Sequence, residues 1–184
     1  MLLPSVKWKW FIDSTNLALM VELDSGLFFQ TAYRSEHLHT VPDNQYFDIE
    51  QSNYFTQIAE ALHESEVPFD QSAQMQIALN GTAALCFHRP VINKSWLYEK
   101  QNACIYVDTP ELAWFKVNTE FYFALTLKKE GDSVLCLNLS ERFITSDNKI
   151  HEQFCVIRIL SDRLIGLDSL IDDDVDASQQ AKNP

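Results

Sequence analysis

Two cations, Arg89 and Lys94, flank Pro90 in the run Arg89-Pro90-Val91-Ile92-Asn93-Lys94-Ser95-Trp96, and an indole follows at once. Proline carries no amide hydrogen and pushes the residue before it out of the helical region, so a helix must stop by Arg89. In an acidic chain, cations beside an aromatic at such a joint suit a mixed-charge, partly apolar peptide. The same spacing also fits an ordinary linker with two solvated charges.

Other residues with chemical potential are dispersed. His37-x-His39 would project to one side of a strand, but no third metal ligand follows at a recognisable spacing. Cys86, Cys104, Cys136 and Cys155 form no CxxC pair, and each lies in an apolar run where a thiol behaves as a small hydrophobe. Gly26, Gly81, Gly131 and Gly166 are too far apart to build a phosphate-cradling loop. No GxSxG, HExxH or kinase signature occurs. The expectation is a binding protein without catalytic residues, cofactor or metal.

The elements that must carry the joint differ on its two sides. Upstream, Lys7 to Ile12, Leu17 to Leu23 and Leu27 to Tyr33 read as an antiparallel meander, turning at Asp13–Asn16 and Asp24–Gly26. Alternation puts Trp8 and Trp10 on one face, in the core with their N–H groups satisfied. Ser35 to Asp48 reads as a loop. A helix capped by Ser52 or Asn53 follows, with Phe55, Ile58, Ala59 and Leu62 inward, and Val67-Pro68 closes it. Asp70 caps a second helix that is apolar around much of its circumference and therefore buried on more than one side. Downstream, Ala103–Val107, Trp114–Val117, Phe121–Leu127, Val134–Leu139 and Phe154–Leu160 read as short strands. The fold class is α+β: an N-terminal α/β subdomain of meander plus two helices, then a C-terminal β-barrel-like subdomain. The divisions are 1–90, 91–167 and an acidic, disordered tail over 168–184.

Composition narrows the partners. At 184 residues, 46% hydrophobic and 12% aromatic, the chain can bury a core. Its 14 Lys and Arg against 26 Asp and Glu give a net charge of −12, which repels a phosphate backbone and argues against nucleic acid. No apolar run is long enough to span a bilayer, and the N-terminus does not read as a signal peptide. A reduced, cytoplasmic protein is expected.

Five segments carry a resemblance. They are Trp8-Lys9-Trp10-Phe11-x-Asp13; Leu23-x-x-Gly26-Leu27-x-Phe29; Lys94-Ser95-Trp96 after a proline; Val134-Leu135-Cys136-Leu137 after Gly131-Asp132; and Asp162-Arg163-Leu164. In this order and spacing, across roughly residues 8 to 165, they resemble the ZapC family of cell-division proteins. Ser161 and the acidic extension beyond Gly166 depart from that pattern. The resemblance implies a non-enzymatic, monomeric cytosolic protein of the mid-cell division ring. It would bind the tubulin-like GTPase FtsZ, bundle its filaments and lower its GTP turnover. It also implies partner contacts by Val21, Arg89, Lys94 and Arg163, to which Leu23 and Trp96 add apolar area. A peptide-binding adaptor and an unrecognised small-molecule enzyme are the alternative readings.

Overall fold

The computed structural model describes residues 3–101 and 109–167. The strand expected over Ala103–Val107, Cys104 and the tail from Asp168 lie outside the described residues. The chain divides into two compact units, residues 1–92 with 153–156, and residues 93–152 with 157–184.

In the first unit, β1 (Lys9–Ile12), β2 (Ala18–Glu22) and β3 (Phe28–Arg34) form the expected meander. A two-residue strand, β4 (Gln45–Tyr46), extends it inside the stretch read as a loop, giving the order β3-β2-β1-β4. Cross-strand partners Trp10↔Val21 and Val21↔Phe29 define one face of this sheet. That face is covered by α1 (Ile49–Glu64) and α2 (Gln71–Phe87), which pack on each other. Trp8 and Trp10 are buried as expected, and their indole N–H groups reach Asp24 Oδ2 at 3.0 Å and Gln51 Oε1 at 3.1 Å. Trp8 meets Phe47 and Phe55 edge-on, whereas Trp10 stacks on Phe47 at 5.0 Å. Each such pair adds about 0.5–1.5 kcal/mol beyond the area it buries.

The first helix starts earlier than the Ser52 or Asn53 cap would allow. Asp48 is the N-cap: its carboxylate accepts the Gln51 N–H at 2.8 Å, and Gln51 Oε1 accepts the Asp48 N–H at 3.3 Å. This reciprocal box satisfies two helix-end donors at once, which a lone serine cannot do. Asp70 caps α2 through the Ala73 N–H, as expected. From Ile77 to Ala84 helix α2 is buried all round. Its Asn80, 1% exposed, accepts the Ala32 N–H of β3 at 2.8 Å and donates to Gln76 O at 2.8 Å.

In the second unit, β5 (Glu111–Val117), β6 (Glu120–Glu130), β7 (Ser133–Asn138), β10 (Val156–Leu160) and β11 (Leu164–Gly166) form one antiparallel sheet, ordered β10-β7-β6-β5-β11. Strands β8 (Arg142–Ile144) and β9 (Ile150–Glu152) make a separate hairpin. Among the described residues no closed barrel forms, because β10 and β11 are opposite edges. Yet only the 3-10 turn Ser161–Arg163 links them. Four residue steps reach about 14 Å. Four strand spacings of a flat sheet would need about 19 Å. The sheet must therefore curl strongly at that end, which makes it barrel-like without closure.

Candidate partner-binding site

Helix α2 ends at Phe87, and His88 is its extended C-cap, as Pro90 requires. The chain beyond is tied to the turn at Ser35–His37. His88 bridges Leu38, Arg89 N–H donates to His37 O at 2.8 Å, and Arg89 Nε donates to Leu38 O at 2.8 Å. One guanidinium donor of Arg89 is thus spent on the backbone, while the residue as a whole stays exposed.

Three histidines surround this anchor. The rings of His37 and His88 stack at 6.3 Å, and Tyr33 meets His88 edge-on at 5.2 Å. His37 Nδ1 accepts the Arg34 N–H at 3.1 Å, so its proton sits on Nε2. His39 Nδ1 lies 2.7 Å from Phe87 O, and His88 Nδ1 lies 2.7 Å from Arg89 O; a carbonyl only accepts, so both nitrogens donate. Burial pushes the His88 pKa below its ordinary value, and the neighbouring His37 and His39 add to this against the opposing Arg89 carbonyl. The three Nδ1 atoms are committed to separate backbone groups. Among the described residues no three metal-ligating side chains converge.

Lys94 and Trp96 belong to the second unit. Asn93 Oδ1 accepts the Ser95 N–H at 2.9 Å and also pairs with the Ser95 hydroxyl, while Ser95 Oγ accepts the Leu160 N–H at 2.8 Å. These bonds clamp a 3-10 turn, Ser95–Leu97, whose Ser95 and Leu97 point inward with Tyr98 behind them. Trp96 is left facing solvent, 73% exposed. Lys94 Nζ pairs with Asp147 Oδ2 at 3.2 Å. Asp147 also accepts the Thr145 hydroxyl at 2.5 Å, and that bond first, then Lys94, holds its carboxyl down at about 2.

Arg163 ends the 3-10 turn between β10 and β11, its Nε 3.4 Å from Asp162 Oδ1. Asp162 also contacts Lys100 at 3.5 Å, and its carbonyl accepts the Gln101 N–H at 2.8 Å. Within this unit the segment bearing Lys94 and Trp96 therefore runs beside the one bearing Arg163. Every candidate cation has a partner in its own unit: a carbonyl for Arg89, Asp147 for Lys94, Asp162 for Arg163.

The apolar candidates divide. Val21 is fully buried between Trp10 and Phe29. It can affect a partner only through the sheet it holds. Leu23 is half-buried just past β2.

A groove of about 330 Å³ that the sequence did not announce lies elsewhere on the second unit, lined by Asn118, Glu120, Tyr122, Arg142, Phe143 and Ile144. In its wall the Tyr122 hydroxyl donates to Glu120 Oε2, two residues earlier on β6, at 2.6 Å. Three of these residues sit on β8, whose three-residue length left no alternation to detect.

Two family models match the chain in succession. The N-terminal model of cell-division protein ZapC covers residues 1–89, and its C-terminal model covers residues 90–170. A cell division protein ZapC from Pseudoalteromonas atlantica is 30% identical over 172 residues, spanning 90% of this chain and 93% of that protein. Proteins of the same name from Shewanella woodyi and Shewanella oneidensis are each 29% identical over 167 residues, covering 89% of this chain and 91% and 93% of their own lengths.

Proposed function

Because the chain belongs to the ZapC family of cell-division proteins, we propose that it is a non-catalytic component of the cytoplasmic division ring at mid-cell. In this reading it binds FtsZ filaments, promotes their lateral association and lowers their GTP turnover. The family match over both halves of the chain supports the cell-division role.

At residue level the reading rests on Trp96. A large aromatic held out into solvent by a clamped turn, with a cation at the cap of that turn two residues earlier, is the composition of a binding hot spot. FtsZ polymer is acidic and so is this chain, so contact needs a local patch of opposite sign. Lys94 supplies the cation nearest Trp96 along the chain, and Arg163 lies on the neighbouring segment. Arg89 is the corresponding cation of the first unit, with Leu23 as apolar surface and Val21 beneath it. Asp147 competes with the partner for Lys94, since an exposed pair of this kind is worth at most about 1 kcal/mol and opens readily.

Co-sedimentation with FtsZ tests this directly. Trp96→Ala and Lys94→Glu should each lower binding about tenfold or more while the thermal melt stays near that of the parent protein. Asp147→Asn should leave binding equal or tighter, because it frees the ammonium. Full binding by Trp96→Ala would sink the site. Loss of folding in Lys94→Glu would assign Lys94 a structural role.

Bundling makes a further demand. A monomer with one filament site decorates a filament but cannot join two. It needs a second surface or a partner copy.

A further inference from the structure

The groove on the second unit has one wall with unfinished backbone chemistry. Thr145 N–H donates to Lys149 O at 3.1 Å, which makes these two a hydrogen-bonded pair of the β8–β9 hairpin. Such pairs alternate along the register Ile144↔Ile150, Phe143↔His151, Arg142↔Glu152. Arg142 and Ile144 therefore turn their N–H and C=O groups away from β9. Asn118 Nδ2 donates to Ile144 O at 3.2 Å and Asn138 Nδ2 to Glu152 O at 3.0 Å, as that alternation requires of an outward carbonyl on each strand. The N–H groups of Arg142 and Ile144 have no partner among the described residues. The facing wall is rigid. Asn118 and Thr119 form the two-residue turn between Val117 and Glu120, with φ of 49° and 75°. That turn fits a hairpin's twist, although a β-branched residue rarely accepts a positive φ. Thr119 is held there: its N–H donates to Glu99 Oε1 at 2.9 Å, and Glu99 pairs with Lys116 at 3.0 Å. Strain persists where the surroundings over-determine it, and it clusters at ligand sites.

We propose that this groove takes a short extended peptide of a partner protein, which adds antiparallel to β8 as a third strand. Main-chain bonds to Arg142 and Ile144 supply the affinity, and the side chains beside them set the sequence that fits. Residues directly opposite in such a pair share a face. The peptide residue opposite Arg142 is acidic, because this exposed guanidinium makes no salt bridge among the described residues. The residue two places earlier lies opposite Ile144, 44% exposed, and is apolar. The recognised order is therefore apolar, any residue, acid. Glu120 in the other wall repels a second acid, so a tract such as Asp172, Asp173 and Asp174 of this chain is a poor occupant. The short edge and a cavity of only about 330 Å³ limit the contact to a few residues. The groove contains neither Lys94 nor Trp96, so this reading and the FtsZ site fail separately.

An NMR titration of the full-length chain with the blocked peptide acetyl-Thr-Val-Thr-Glu-Thr-amide tests it without FtsZ. The amide signals of Arg142 and Ile144 should shift at millimolar peptide, and their hydrogen exchange should slow. The same peptide with Lys in place of Glu should bind the parent protein more weakly, and Arg142→Glu should reverse that order. This exposed change should weaken the Glu peptide about fivefold or more. Ile144→Pro removes an outward N–H and no bond to β9, and it should weaken both peptides about threefold or more. The proposal is overturned if neither amide signal moves, or if Arg142→Glu leaves the peptide order unchanged. It is equally overturned if acetylglutamate amide alone binds as well as the peptide, because the groove would then hold a carboxylate and no strand. Should Ile144→Pro fail to fold, the charge inversion at Arg142 decides with the exchange data.

Discussion

Single side chains in the N-terminal unit hold far more than their own positions. Gln51, 3% exposed, accepts from both the Trp10 indole and the Asp48 backbone, so it joins the sheet to the start of α1. Gln51→Leu strands a buried indole N–H and should cost about 1–3 kcal/mol in urea unfolding. Gln51→Glu keeps an acceptor and should cost less. His88 carries a pH dependence. Its folded pKa lies below the ordinary 6.5, chiefly through burial, so the unfolded chain binds the proton more tightly. Stability is then full above about 6.5 and falls as the pH drops through the folded value. The groups facing it are Tyr33, His37, His39 and Arg89, and only the Arg89 carbonyl favours the proton. His88→Gln should flatten the stability profile between about pH 7 and pH 5. An unchanged slope would place the effect in His151, whose pKa is also lowered by burial. At this scale the sequence was unevenly legible. The Arg163–Asp162 contact joins chain neighbours and could be expected. The Lys94–Asp147 and Arg89–Leu38 contacts bridge 53 and 51 residues and leave no local trace.

Elements were legible in proportion to their length. The two helices run over 16 and 17 residues; α1 was placed by its apolar stripe, and α2 by its long, nearly unbroken apolar run after the Asp70 cap. Strands β4, β8, β9 and β11 have two or three residues each, too few to display alternation. The start of α1 was misjudged for another reason. Ile49, 82% exposed, breaks the apolar pattern, although the Asp48-x-x-Gln51 box was in plain view. Asp48→Ala should therefore cost about 1 kcal/mol in a thermal or urea melt. Asn53→Ala, now an exposed mid-helix change, should be neutral or slightly stabilising. The reverse order would return the cap to Asn53. The thiols fit their elements: burial pushes Cys86 on α2 up to about 12 and pushes Cys136 on β7 up as well, so neither is a nucleophile at neutral pH.

At the scale of the whole molecule the net charge of −12 sets the tone. Self-repulsion opposes the compact state, and salt relieves it. The thermal midpoint should rise between about 10 mM and about 150 mM salt, over which the screening length shortens from about 30 Å to about 8 Å. A falling midpoint would mean that the surface ion pairs outweigh the repulsion. The α+β class and its order, helices and meander before an antiparallel sheet, could be read from the pattern of periods. What no local pattern revealed is that the first unit borrows residues 153–156 from far downstream. There the Phe154 carbonyl accepts the buried Tyr33 hydroxyl at 3.0 Å.

That loan has a cost in time when the polypeptide is made. The nascent N-terminal half leaves the ribosome with a phenol lacking its acceptor, and it must wait until translation has passed Val156. At about 5–20 residues per second the wait lasts some seconds, long against the folding time of most small domains. During that interval the incomplete half is a natural client for chaperones that recognise unfinished cores.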